Sequence, residues 1–346
     1  MSAHAAAQID VETLAPYLEA NVPGLKGLKA AVKFSDGQSN PTFRLDADSG
    51  SYVLRAKPPG ELLKSAHQVD REHRVMAALA ETDVPVPRML HMADESNPLG
   101  RMFYVMEYKE GRVLWDPALP DYEPTERAAI YDEMNRVLAA LHDVDHEAVG
   151  LGDFGRPGSY YARQFNRWSK QYKASETEPS PKMDALAAWL EANMPEDDGV
   201  SSLVHGDYRL DNVMFHPTEP RIIAVLDWEL STIGHPIAEL AYQCMNWRLP
   251  YKGGFRGLGD LERSPRTGLP AEKDYVARYC ERRGLSDVPD WDFAIVFNFY
   301  RMAAILQGVY KRALDGNASN PEKAKTYGEA VPKIADIATD YLEKAT

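Results

Sequence analysis

The chain has 346 residues, 44% of them hydrophobic and 26% charged, proportions that suit a globular protein with a large core. Its length sets an expectation of two domains. The formal net charge of −13 argues against nucleic-acid binding as the main task, because a phosphate backbone rewards a basic face.

The two cysteines, Cys244 and Cys280, fall in helix-like stretches and form neither a metal spacing nor a disulfide framework. The opening residues MSAHAAAQID carry no Lys or Arg and no long apolar run, so no signal peptide is expected there. The most apolar run, residues 293–306, is interrupted by Asn298 and Arg301 and is too short and polar to span a bilayer. The expected location is the cytoplasm, with no membrane partner.

In chain order, residues 10–20 read as a short helix capped by Asp10 and stopped by Pro23-Gly24. Strand-like pieces follow at 28–34, 42–45 and 51–55, the last two flanking the hairpin turn Asp46 to Gly50. Between the first two lies a small polar tip, residues 35–40, whose Ser39 and Asn40 could face phosphate through backbone N–H groups. Residues 62–80 have a helical apolar period and carry Arg71-Glu72. Strands at 89–92 and 102–108 complete a lobe of five strands and one helix, and residues 109–112 read as a linker.

The remainder is mostly helical, with helices expected at 124–144, 160–172, 182–193, 236–247, 272–283, 290–314 and 321–342. Residues 253–270 form a long Gly- and Arg-rich loop, and long loops are often functional. The expected division is an N-terminal, nucleotide-binding lobe at 1–108 and a catalytic, acceptor-binding lobe at 109–346.

The stretch LVHGDYRLDNVMFHPTEPRIIAVLDWE, residues 203–229, carries the chemistry. Short apolar runs at 202–204 and 222–226 read as buried strands. The first delivers His205-Gly206-Asp207, with Asn212 five residues after that Asp. The second delivers Asp227, followed by Trp228 and Glu229. Phosphoryl transfer needs neutralised γ-phosphoryl charge, an acceptor hydroxyl held in line and a carboxylate to take its proton. Asp207 is the candidate carboxylate. Asn212 and Asp227 are oxygen ligands suited to Mg2+, a hard cation.

HGDYRLDN matches the HGD-x-x-x-x-N loop, and LDWE the metal-binding segment, of the aminoglycoside phosphotransferase-like family, which the sequence resembles from Phe34 to about Tyr242. The resemblance implies an α+β, bilobal, protein-kinase-like fold, with an antiparallel N-lobe sheet, one long helix and a mostly helical C-lobe. It implies ATP and Mg2+ as cofactors, Asp207 as catalytic base, and Asn212 and Asp227 as metal ligands. In such kinases a strand Lys contacts phosphate and pairs with a helix Glu. Here that strand position is Arg55 and the Glu is Glu72, with Lys57 as the alternative phosphate contact. Met106-Glu107-Tyr108 would be the hinge that binds adenine. Glu239 stands where relatives have an Asp that braces the catalytic loop.

VLRAKPPG, SAHQVDREHRVM and AYQCMNW carry a narrower resemblance, to the kinase domain fused to acyl-CoA dehydrogenases and its free-standing bacterial relatives. That resemblance implies a hydroxyacyl-CoA acceptor. Between Arg248 and Arg283 stand nine Lys or Arg against five Asp or Glu, an excess that suits an anionic, CoA-linked acceptor. An aminoglycoside acceptor and a non-catalytic nucleotide-binding module are the competing readings.

Overall fold

The structure is a computed structural model that describes residues 9–34, 40–59, 68–252, 254–261, 267–316 and 321–345. It forms two compact units. The first takes Met1–Val113, Glu147–Leu151 and Asp211–Ser231, and the second the remainder. Residues 211–231, which carry Asn212 and Asp227, therefore pack with the N-terminal segment rather than with their neighbours in sequence.

The first unit is built on a five-stranded antiparallel sheet. Its strands are β1 (Leu28–Lys33), β2 (Thr42–Ala47), β3 (Gly50–Ala56), β4 (Met89–Ala93) and β5 (Phe103–Glu107), in the order β1-β2-β3-β5-β4. Helix α1 (Val11–Asn21) starts at Asp10, whose Oδ1 accepts from the Glu12 and Thr13 amides and so satisfies two of the first-turn donors. Its Leu14 and Leu18 join Leu45, Leu54, Phe103 and Val105 in one buried cluster. Helix α2 (Val69–Leu79) buries Val69, Glu72, Met76 and Leu79, which recur at three- and four-residue steps on one face. It starts at Val69, after Gln68, and the earlier part of the expected 62–80 helix, up to residue 67, lies outside the described residues.

The first unit also contains a three-stranded sheet, β6 (Arg112–Val113), β8 (Val213–Phe215) and β9 (Ile222–Val225). Residues 109–112 are therefore not all linker. Arg112 pairs with Phe215 in the ladder, and a Cβ on Gly111 would lie 2.5 Å from the Phe215 carbonyl oxygen.

The second unit contains the two-stranded pair β7 (Ser202–Val204) and β10 (Thr232–Gly234). Its helices are α3 (Pro124–Asp143), α4 (Tyr160–Ser175), α5 (Pro181–Ala192), α6 (Pro236–Cys244), α7 (Glu272–Arg283), α8 (Trp291–Leu314) and α9 (Pro321–Ala345). Helix α8 is the core of this unit and packs against α4, α5, α6 and α9. It runs for 24 residues, longer than the apolar run suggests, and by length and composition alone could cross a membrane. In the fold, 67% of its most apolar 18-residue window is buried. Its Asn298 amide is also buried and donates to the carbonyls of Ala238 (2.8 Å) and Ala294 (2.9 Å), so the polar interruption ties α8 to α6.

The β7–β10 pair sets the start of the 205–212 loop, because Val204 lies opposite Thr232. A Cβ at Gly234 would come within 2.8 Å of both the Tyr160 ring and Val204 Cγ2. Gly234→Ala should therefore cost about 1–3 kcal/mol through overpacking. Urea unfolding checks this, and an unchanged midpoint would show that the pair relaxes freely.

Candidate functional site

In the first unit, Arg55 sits on β3 opposite Tyr104 of β5, and both face α2. The Arg55 Nε lies 2.8 Å from Glu72 Oε2, and one terminal nitrogen lies 2.8 Å from Asp227 Oδ1. The planar guanidinium can hold two carboxylates at once, which an ammonium does less well. Glu72 is 1% exposed and also accepts from the Asn40 amide (2.6 Å) and the Tyr104 hydroxyl (3.1 Å). Burial works against the Arg55 charge, but Glu72 foremost, with Tyr104 and Asp227, outweighs it and holds the guanidinium pKa above its ordinary value. Arg55 is thus a permanent cation.

Asp227 follows β9 and adopts φ 64°, the left-handed region that costs a non-glycine residue about 1–3 kcal/mol. Asn212 ends a short 3-10 turn immediately before β8. The β8–β9 register pairs Val213 with Val225, and the Leu226 amide donates to the Asn212 carbonyl at 2.8 Å. Both candidate metal ligands therefore lie at one end of one hairpin. Among the described residues, no group of three or more His, Cys, Asp or Glu could hold a metal ion. One carboxylate and one amide fit Mg2+, which fills its remaining positions with water and phosphate oxygens.

The other nucleotide-site candidates are placed differently. Lys57 follows the end of β3, and its ammonium rests 3.0 Å from Met102 Sδ, away from the Glu72–Asp227 bridge that Arg55 makes. Asn40 is 2% exposed and its side chain is committed to Glu72, so it orients that carboxylate. Ser39 lies outside the described residues. Glu107 ends β5, where its carboxylate accepts from the Arg88 amide (2.9 Å) and pairs with Lys109 (2.8 Å). Tyr108, the next residue, is 37% exposed.

In the second unit, Asp207 leaves β7 in the tight turn His205-Gly206-Asp207, where Gly206 has φ 86°. Glu239 of α6 holds this turn. Its two oxygens accept from the amides of His205 (2.9 Å) and Gly206 (2.5 Å), and from His142 Nε2 (3.0 Å). An ionised carboxylate only accepts, so His142 carries its proton on Nε2, and its Nδ1 accepts from the Tyr279 hydroxyl at 2.7 Å. Burial lowers the His142 pKa and keeps it neutral. Burial opposes ionisation of Glu239, but the bond from His142 and the neighbouring donors outweigh it and hold its pKa low. Glu239 is therefore long enough to brace the loop despite its extra methylene.

Two residues the sequence reading passed over also reach this turn. The Tyr242 hydroxyl donates to Asp207 Oδ1. Arg301 of α8 donates to the Gly206 carbonyl at 3.1 Å, and its guanidinium carbon lies 5.7 Å from the centre of the Tyr242 ring. The available signal was Tyr242's position three residues after Glu239, one turn along the same helix face. Arg209 Nε lies 3.5 Å from Asp207 Oδ1.

The basic 248–283 segment behaves otherwise than its charge count suggests. Arg248 pairs with Glu272 (2.6 Å), Arg282 with Asp132 (2.8 Å) and Arg283 with Asp143 (2.8 Å). Arg278 pairs with Glu281 (2.6 Å) and Asp132 (3.4 Å). These four cations are spent on packing within their own unit. Arg263 and Arg266 lie outside the described residues.

Known proteins share the sequence pattern and the fold. Residues 30–271 match the model of the phosphotransferase enzyme family APH. A putative aminoglycoside phosphotransferase from Ralstonia eutropha is 48% identical, covers 97% of this chain and 98% of its own, and superposes with a TM-score of 0.88. A spectinomycin phosphotransferase solved with ADP and spectinomycin shares the fold at 12% identity and a TM-score of 0.62, over 96% and 98% of the two chains. Acyl-CoA dehydrogenase family member 10 of Mus musculus is 43% identical over 94% of this chain and 31% of its own length. Family member 11 of Rattus norvegicus is 41% identical over 94% and 42%. The chain thus spans less than half of these curated relatives. With the family model covering more than half of the sequence, the chain belongs to the APH phosphotransferase enzyme family.

Proposed function

We propose that this chain transfers the γ-phosphoryl group of ATP to the hydroxyl of an anionic small molecule, with a hydroxyacyl-CoA as the acceptor class. The acceptor oxygen attacks the γ-phosphorus, the bond to the bridging oxygen of ADP breaks, and the acceptor proton passes to Asp207. Arg55, fixed by Glu72, faces the α- and β-phosphates, and the Glu107–Tyr108 strand end receives adenine. Asn212 and Asp227 would hold Mg2+, which neutralises phosphate charge when bound. The strained backbone at Asp227 supports a functional role for that carboxylate.

The observation that carries the acceptor class is the placement of two arginines at the base. Arg209 borders Asp207 itself, and Arg301 holds the adjoining Gly206 carbonyl. A polycationic aminoglycoside would meet like charge there, whereas an anion would be attracted. The kinship with acyl-CoA dehydrogenase family members points the same way, and this observation takes over the argument that the 248–283 segment does not carry.

An ADP-release assay over both acceptor classes tests the reading. Turnover is expected with a 4-hydroxyacyl-CoA and not with kanamycin-type amines, and the reverse would overturn the acceptor class. Asp207→Asn should lower kcat by about 10²–10⁴-fold while ATP still binds, as calorimetry would show. Wild-type turnover by that variant would end the assignment of the base, whereas ATP binding by the wild-type chain with no phosphoryl transfer to any acceptor would favour a non-catalytic nucleotide-binding module.

Arg55→Ala should leave buried Glu72 without its cation and lower stability by about 3–5 kcal/mol. ATP affinity should fall with it. Arg55→Lys should recover part of both, since an ammonium keeps the charge but bridges two carboxylates less well. Chemical denaturation and ATP titration read the two effects, and unchanged stability in Arg55→Ala would contradict the account of this bridge.

A further inference from the structure

We infer that Tyr242 is a positioning residue for Asp207, holding the orientation of the carboxylate from which the base acts. The inference rests on the reading of Asp207 as the base.

Helix α6 meets the 205–207 turn at three consecutive residues. Glu239 fixes the backbone by accepting from the His205 and Gly206 amides. One turn later on the same helix, Tyr242 fixes the side chain by donating to Asp207 Oδ1. The backbone is thus held from one position of α6 and the reacting group from another, three residues apart. Arg301 closes the arrangement from α8. It donates to the Gly206 carbonyl between these two contacts, and its guanidinium lies over the Tyr242 ring.

The chemistry follows from the direction of the bond. Burial, and after it the charge of Asp207, raise the Tyr242 pKa, so the phenol keeps its proton and acts as donor throughout the working range. A donor on one oxygen stabilises the carboxylate anion relative to the acid. It holds the carboxylate in one rotamer for in-line attack. Around Asp207, Arg209 Nε lies 3.5 Å from Oδ1, the Tyr242 hydroxyl donates to Oδ1 and His205 Nδ1 accepts from the Asp207 amide, while Glu239 and Arg301 hold the adjoining Gly206. Tyr242 is the neutral donor in that set, so its removal changes the hydrogen bonding to Asp207 without changing the formal charge around it.

The test uses the full chain as Tyr242→Phe, which keeps the ring under Arg301 and removes the hydroxyl. At neutral pH kcat should fall about tenfold while the KM for ATP stays near wild type, since the loss is in orientation and not in nucleotide binding. Unchanged kcat and KM in Tyr242→Phe, with Asp207→Asn inactive, would overturn the positioning role and leave the base assignment standing. Wild-type turnover in Asp207→Asn would instead remove the base assignment itself. A second readout needs no stable Tyr242 variant. In the wild-type protein, a slowly exchanging tyrosine hydroxyl proton should be visible by NMR and lost in Asp207→Ala. Its persistence there would also overturn the inference.

Discussion

Arg55 has to satisfy two carboxylates from distant parts of the sequence, and the first unit depends on it. Glu72 is buried on α2, and Asp227 arrives 172 residues after Arg55 on the β8–β9 hairpin. A buried carboxylate without a cation is strongly destabilising, so the Arg55–Glu72 pair constrains where α2 can lie against the sheet. Asp227 then binds the same guanidinium, which ties a late segment of chain to an early sheet. This is a physical reason for residues 211–231 to pack with residues 1–113. The cation that organises the fold is also the one assigned to phosphate, so stability and nucleotide binding are coupled through one side chain.

The second unit solves a different problem with the same economy of elements. A tight turn must present Asp207 while leaving few conformations open to it. Glu239 is itself buried and oriented by His142, which is oriented by Tyr279. The turn is therefore held by a chain of hydrogen bonds running from α7 through α3 to α6. Such fully satisfied buried networks rigidify what they support. Asp207 is held by side chains on packed helices, which fix a reacting group better than a mobile loop does.

Much of this was legible in the sequence because spacing and strand ends are local properties. His205-Gly206-Asp207 and Asp227 follow short apolar runs and Asn212 keeps a fixed spacing from Asp207, while Arg55 and Glu72 come from the family resemblance, on a strand and a helix that the sequence pattern shows. Strands β6, β8 and β10 were not read, since two or three residues give no alternation to detect and, unlike β7, they do not lead into the His-Gly-Asp motif. The choice between Arg55 and Lys57 required knowing that β3 ends at Ala56. Tyr242 was hidden because an apolar helix position and a hydrogen-bonding one look alike until its partner's location is known. The pairing of arginines in the Arg248–Arg283 segment was hidden for the opposite reason. Its acidic partners Asp132 and Asp143 lie on α3, more than a hundred residues earlier, where no local charge count finds them.

The central claim is that phosphoryl passes from ATP to an acceptor hydroxyl and not to water. Phosphorus NMR of the wild-type enzyme with ATP, Mg2+ and a 4-hydroxyacyl-CoA tests it most directly. The account predicts a new phosphomonoester resonance growing in equal amount with ADP. Inorganic phosphate appearing in place of that ester would contradict it.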